Sequence, residues 1–268
     1  MFLSQGTIAR AIRKALVWIE PYCEATAIAE RIEPNVGKTI AITGAGDGLG
    51  RAIARRFAKD GDRIILLGRT KSKIDAVAAE LGDGHLSIEC NVRDAASVEA
   101  AFAEVARDVD KIDVLINNAA VFEPFTIAEA RPDQIQAQVE TNLSGPLYVT
   151  HYALPLLRGG GHVINVTSES APLKMPMLWL YAGTKTALEL ISEIWMRELE
   201  AEGVRVTIAR CGQMMDETKA GSTWDPDVAM RFAMENAKIG INLRERGISH
   251  YNSVADQFRT LVDLPPDL

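Results

Sequence analysis

Cysteine is scarce in this chain and nowhere paired: Cys23, Cys90 and Cys211 are odd in number and far apart. That excludes a disulfide framework and a Cys-x-x-Cys metal cage, and points to free thiols in a reducing cytoplasm. His85, His151, His162 and His250 are equally dispersed, so no metal site is expected. An excess of basic charge is missing as well. With 29 Lys and Arg against 36 Asp and Glu, the net charge of -7 argues against a nucleic-acid partner, and Arg51, Arg55 and Arg56 read as a solvated helix face. No Pro/Ser-rich linker, internal repeat or low-complexity tract divides the 268 residues. They are enough for one large α/β domain, here 37–268, preceded by an N-terminal helical extension, 1–36.

A long apolar run is also lacking. In the extension, Ile8, Ile12, Leu16 and Ile19 recur at helical spacing before Pro21, but Arg10, Arg13 and Lys14 interrupt them. Such a segment is too short and too charged to span a bilayer, and it has no secretory cleavage pattern. Its freedom from acids through residue 19 leaves a transit peptide or a membrane-surface helix as alternatives. An arm packed on the domain or on a partner subunit is the preferred reading.

What is present alternates. Strands are expected near 38–43, 63–67, 85–90, 112–116, 161–167 and 203–209, with helices near 48–60, 71–81, 95–108, 132–157, 179–202 and 225–240. That order implies a doubly wound, Rossmann-type parallel sheet of six or seven strands, with ligands at the carboxyl ends. The first strand runs into Thr43-Gly44-Ala45-Gly46-Asp47-Gly48-Leu49-Gly50 and then into a helix. Glycines let the backbone turn tightly and approach a diphosphate, and the helix start aims amides and its positive dipole end at the anion. Further on, Tyr181 and Lys185 lie four apart, one turn along a helix, and Ser168 closes the fifth strand thirteen residues before the tyrosine. A phenol whose pKa is near 10 works near neutrality only if a cation favours its phenolate, and Lys185 is placed for that. Ser168 can hydrogen-bond a substrate oxygen without carrying charge.

Together these segments resemble the short-chain dehydrogenase/reductase family, in its shorter subclass with Thr-Gly-x-x-x-Gly-x-Gly and Tyr-x-x-x-Lys motifs. Thr43 to Gly50 match the first motif in full, and Asn117-Asn118-Ala119-Ala120 matches the family's Asn-Asn-Ala-Gly except at Ala120. The resemblance spans about residues 37–262. It implies hydride transfer between a nicotinamide dinucleotide and a carbonyl or alcohol carbon. Asn142, Ser168, Tyr181 and Lys185 fall where the family keeps its tetrad. Tyr181 would be general acid or base, Lys185 would lower its pKa and hold the nicotinamide ribose, Ser168 would position the substrate oxygen, and Asn142 would anchor a water. Thr43, Gly44, Gly46, Asp47, Gly48, Leu49, Gly50, Arg69, Asn91, Val92, Asn118, Ala119 and Gly212, with Tyr181 and Lys185, would contact the cofactor. A scaffold protein without turnover, and an epimerase or dehydratase, are the alternatives.

Arg69, following Gly68 where NAD-specific relatives carry an acid, favours NADP(H); NAD(H) stays possible, because Asp47 would repel a 2′-phosphate. Met175, Met177 and Trp179, with Met214, Met215 and Trp224, suggest an apolar pocket for a bulky ketone, steroid or acyl-like substrate; core or subunit interface is the competing explanation. Arg210-Cys211-Gly212 departs from the family's Pro-Gly, and Asp216 and Thr218 displace the threonine that touches the cofactor amide. Leu264-Pro265-Pro266-Asp267-Leu268 stands where relatives add a last strand, so six strands and an altered tetramer contact are expected in a homodimer or homotetramer.

Overall fold

The protein is described from a computed structural model, which covers residues 37–215 and 224–265. The N-terminal extension, Asp216 and Thr218 lie outside the described residues. Strands β1 (Thr39–Thr43), β2 (Arg63–Gly68), β3 (Leu86–Glu89), β4 (Val114–Asn117), β5 (His162–Ser168) and β6 (Arg205–Cys211) form one sheet in the order β3-β2-β1-β4-β5-β6. Every pairing is parallel, as the alternating pattern predicts. Among the described residues the sheet has six strands, the lower of the two expected numbers.

Strand periodicity sorts the core into two layers. Ile40, Ile42, Ile64, Leu66, Val114, Ile116, Ile164 and Val166 face one side; the residues between them, among them Ala41, Ile65, Leu67, Leu115 and Val163, face the other. Helices α1 (Gly48–Lys59) and α2 (Lys71–Leu81) cover the first face, while α3 (Ala95–Asp108) covers the second, together with the helices that follow β4 and β5. The expected strand near 203–209 begins two residues later, because Gly203 takes φ 69° at the end of a short 3-10 turn, Glu200–Glu202.

The helix expected near 132–157 is not continuous. It divides into α4 (Pro132–Val139), a π turn (Glu140–Ser144) and α5 (Gly145–Leu157). Asn142 sits in the wide turn, fully buried. After β5 come the short α6 (Ser170–Leu173) and the long α7 (Trp179–Glu198), then β6, a two-residue strand β7 (Met214–Met215) and α8 (Pro226–Ala237). A second small strand, β8 (Ser249–His250), pairs with β7 and leads into α9 (Tyr251–Asp263), a helix absent from the sequence expectation. Its Val254, Ala255, Phe258 and Val262 pack into the layer of α1. Arg259 is buried beneath it, its guanidinium 4.4 Å from the Phe57 ring centroid and ion-paired with Asp62 and Asp263.

Candidate active site

The carboxyl ends of β1, β4, β5 and β6 open on one crevice. At β1 the glycine turn is fixed by steric limits. Gly44 and Gly48 have φ of 66° and 52°, which a side chain rarely tolerates. A Cβ on Gly50 would lie 2.4 Å from the Gly44 carbonyl oxygen, so no larger residue fits there. Asp47 caps α1: its Oδ1 accepts from the Gly48 amide at 2.9 Å.

Thr43 and Asn118 tie this turn to β4. The Thr43 hydroxyl accepts from the amides of Asn118 at 3.0 Å and Ala119 at 3.1 Å, and Asn118 Nδ2 donates to the Thr43 carbonyl at 2.9 Å. Beyond β2, Arg69 is exposed. Lys73, a residue that sequence reasoning passed over, places its ammonium 3.4 Å from Asp47 Oδ2. Gly46, Asp47, Arg51 and Lys73 line a cavity of about 240 Å³ beside α2. The expected repulsion between Asp47 and an incoming phosphate is therefore already offset by a cation. Its signal was its place one turn into the helix after β2. Farther along the edge, Asn91 Oδ1 accepts from the Arg93 amide at 3.3 Å, and buried Val92 packs on Gly145.

Opposite the turn, Ser168, Tyr181 and Lys185 come together. The Ser168 hydroxyl lies on the Tyr181 side of the crevice, near enough to favour the phenolate, and accepts from the Ser170 amide at 3.1 Å. Lys185 is 2 % exposed; its Nζ donates to the Val166 carbonyl at 2.8 Å and stands over the Tyr181 ring, 5.7 Å from the centroid. Burial pushes the Tyr181 phenol up to about 12, with the Ser168 hydroxyl opposing it and Cys211 adding to the rise. Burial also lowers Lys185 to about 8, against an opposing pull from Cys211. The Cys211 thiol itself is raised to about 11 by burial, with Lys185 opposing. In this arrangement desolvation governs the phenol, and the downward pull expected from Lys185 is not what sets it.

Asn142 joins the group from the π turn. Its Oδ1 accepts from the Val121 amide at 2.7 Å, and its Nδ2 donates to the Val121 carbonyl at 2.8 Å and to Thr184 at 3.4 Å. The pattern is that of an amide satisfying nearby backbone, and it meets α7 at Thr184, the residue before Lys185.

The seat of α7 was not legible in the motif. Lys185, Glu189 and Ser192 share one face of the helix, and three successive residues of β5 engage them. Asn165 Nδ2 donates to Ser192 at 2.8 Å, Val166 receives Lys185, and Thr167 donates to Glu189 at 2.8 Å. Glu189 faces a burial penalty, yet hydrogen bonds from Arg210 and Thr167 hold it below the usual carboxylate range. Asn117 Nδ2 extends the network to Asn165 at 2.8 Å and Thr150 at 3.0 Å.

Beside Tyr181 the wall is apolar. Phe122 meets Tyr181 edge-on at 4.8 Å between centroids and Trp224 at 4.7 Å, while Met175, Met177 and Leu178 are buried against Phe232. Met175 and Met177 thus belong to a packed cluster, and Met214 packs against the layer of α1, as the core reading has it. Met177 holds φ 67°, an uncommon conformation for a side-chain-bearing residue.

A parallel sheet wound about a glycine turn, with a hydroxyl, a phenol and a buried ammonium at its crevice, defines a dinucleotide-dependent oxidoreductase of the Rossmann type. The chain belongs to the short chain dehydrogenase family, whose model matches residues 38–228. It is 36 % identical over 185 residues to serine 3-dehydrogenase of Agrobacterium fabrum, covering 67 % of this chain and 73 % of that one. To the NADP-dependent 3-hydroxy acid dehydrogenase YdfG of Salmonella typhi it is 30 % identical over 207 residues, 71 % of this chain and 83 % of that protein. Among solved structures, the alcohol dehydrogenase of Thermococcus sibiricus complexed with 5-hydroxy-NADP superposes with a TM-score of 0.73 at 25 % identity, covering 86 % and 92 % of the two chains. The 3-ketoacyl-(acyl-carrier-protein) reductase of Brucella melitensis complexed with NADH gives 0.70 at 25 % identity, covering 86 % and 92 %.

Proposed function

We propose that this protein interconverts a carbonyl and a secondary alcohol, with Tyr181 as the general acid in reduction and the general base in oxidation. The observation that carries this reading is the buried Lys185, held by the Val166 carbonyl at the end of the strand that carries Ser168 and standing 5.7 Å from the Tyr181 ring centroid. A nicotinamide dinucleotide, when bound, supplies or takes up the hydride. The glycine turn from Thr43 to Gly50, with Asn118 and Ala119, fits its diphosphate and adenosine end, since its glycines leave the backbone open to close approach; Asn91, Val92 and Gly212 complete the contact set. Ser168 holds the substrate oxygen while the Tyr181 hydroxyl passes its proton to it. Lys185 keeps positive charge near the phenol and binds the nicotinamide ribose. Asn142, its side-chain amide engaged by Val121 and Thr184, steadies α7 beside Lys185.

NADP(H) is favoured over NAD(H), because Arg69 follows β2 where an acid would select NAD(H), and Lys73 sits beside Asp47, whose charge would otherwise repel a 2′-phosphate. The aromatic and thioether wall suits a bulky apolar ketone or alcohol. The enzyme works as a cytoplasmic homo-oligomer, with Leu190 and Ile194 forming an exposed apolar stripe on α7 for self-association.

A turnover screen with both cofactors tests this reading. It spans steroid, acyl and aryl ketones and their alcohols, and adds 3-hydroxy acids because of the relatives' activities. Turnover confined to apolar carbonyls with NADPH is expected. Turnover of serine or short 3-hydroxy acids alone would replace the apolar substrate class, and absence of any dinucleotide-linked turnover would defeat the proposal.

A further inference from the structure

Past β6 the chain runs through Gly212 and Gln213 into β7, directly beside Ser168, which pairs with Cys211 in the sheet. With Cys211 in place of a proline, nothing in the local sequence stiffens this segment. A strap from residues 244–250, between α8 and α9, holds it instead. The Ser249 amide donates to the Gln213 carbonyl at 3.0 Å, and Met214 and Met215 pair with Ser249 and His250.

The strap is fastened at one more point. Arg246 ion-pairs with Glu169, the residue that follows Ser168. The Glu169 amide donates to the Cys211 carbonyl at 2.9 Å, and a Cβ on Gly212 would lie 3.4 Å from Glu169 Oε2. Through its amide and its carboxylate, Glu169 therefore joins the end of β5, the exit from β6 and the strap. The same strap leads to Tyr251, whose ring would stand 3.7 Å from a Cβ on Gly48, so it bridges the catalytic and diphosphate ends of the crevice. Both charged side chains are about a third exposed, at 27 % and 32 %, so the pair contributes little to global stability. Its effect is local and geometric.

We propose that Glu169 and Arg246 are positioning residues. They form a latch that fixes Gly212–Met215 beside Ser168 and thereby sets where the nicotinamide end of the cofactor lies relative to Tyr181. This rests on the oxidoreductase reading above. A misplacement of about 1 Å at such a site can cost about a hundredfold in rate.

The test is a double-mutant cycle with E169Q, R246M and the pair together, plus R246K as the conservative variant. Dissociation constants for NADPH and NADH come from nicotinamide fluorescence, and kcat and KM from the best substrate in the screen. Each single change is expected to lower kcat about tenfold while the carbonyl KM moves less than about threefold, and R246K is expected to recover most of the loss. The double variant should be no worse than the poorer single. Independent multiplication of the two effects, or an unchanged kcat in both singles, overturns the latch. If the wild type turns over no carbonyl, the functional reading fails separately, and bound-nicotinamide fluorescence alone decides the latch. Equal weakening in the singles with none added in the double supports it; additive or absent weakening refutes it.

Discussion

Where β1 meets α1, the crevice wall is made of backbone; across the sheet, past β5, it is made of side chains. The glycine turn holds its shape because Gly44 and Gly48 adopt positive φ and Gly50 has no room for a Cβ. The opposite wall holds its shape because Asn165, Thr167, Glu189 and Ser192 bind one another beneath Lys185. The difference teaches where each half is vulnerable. The glycine wall should fail when atoms are added, and the side-chain wall when a functional group is removed or its protonation changes.

The sharpest test of that division is Tyr181→Phe, which deletes one oxygen from the side-chain wall. It should lower kcat by about a thousandfold while dinucleotide dissociation constants stay within about threefold, because the backbone wall is untouched. Wild-type rates on a confirmed substrate would remove Tyr181 from the chemistry. Adding one methyl to the other wall, Gly50→Ala, forces the turn apart. It should cost about 1–3 kcal/mol of stability and at least about a tenfold loss of dinucleotide affinity, read by chemical melts and fluorescence titration. Gly183 on α7, with nothing within 4 Å of a Cβ, is the matched control, and Gly183→Ala should stabilise by about 0.5–1 kcal/mol.

Acid should destabilise the domain from the foot of the strand that carries Ser168. Burial, reinforced by Arg205, lowers His162 at the start of β5 to about 3, whereas the unfolded chain titrates near the ordinary value of 6.5. The folded state thus refuses a proton that the unfolded state accepts. The His162 contribution is complete above about pH 6.5 and is lost as pH falls from there towards 3, at up to about 1.4 kcal/mol per pH unit. Urea midpoints at pH 7 and pH 5 should show this slope, and His162→Leu should flatten it. The smallest effect concerns the rim. Lys73→Met should weaken NADPH binding about fivefold and NADH binding less than about twofold, whereas equal losses would return the cofactor preference to Arg69 alone.

The backbone wall was readable in the sequence because glycine spacing and strand periodicity are local signals. Thr43 to Gly50, the six strands and their parallel order all follow from residues close together in the chain. The positions proposed as a tetrad came from the family likeness, and the fold brings Tyr181 and Lys185 together. The seat of α7 was not: Asn165 and Ser192 look like unremarkable polar residues until β5 lies under the helix. Lys73, Glu169 and Arg246 were missed for the same reason, since Arg246 reaches Glu169 across 77 positions of chain. The helix α9 did carry a signal in Val254, Ala255, Phe258 and Val262 at helical spacing. The break at Glu140–Ser144 carried none, because residues of ordinary helical propensity form both kinds of turn.

That break has a consequence for how the domain can change. Each residue of a helix advances the surface by roughly 100°, so one surplus residue in the wide turn rotates α5 out of phase with α4. The two halves answer to different neighbours: α5 buries Val149, Ala153 and Leu157 in the sheet layer, while α4 buries Gln134 and Gln138, whose amides reach Glu123 in the loop after β4. The π turn therefore works as a phase joint. Substitutions on α4 can reshape the approach to the crevice without re-registering α5, whereas removing a single residue from 140–144 would turn the buried stripe of one half towards solvent.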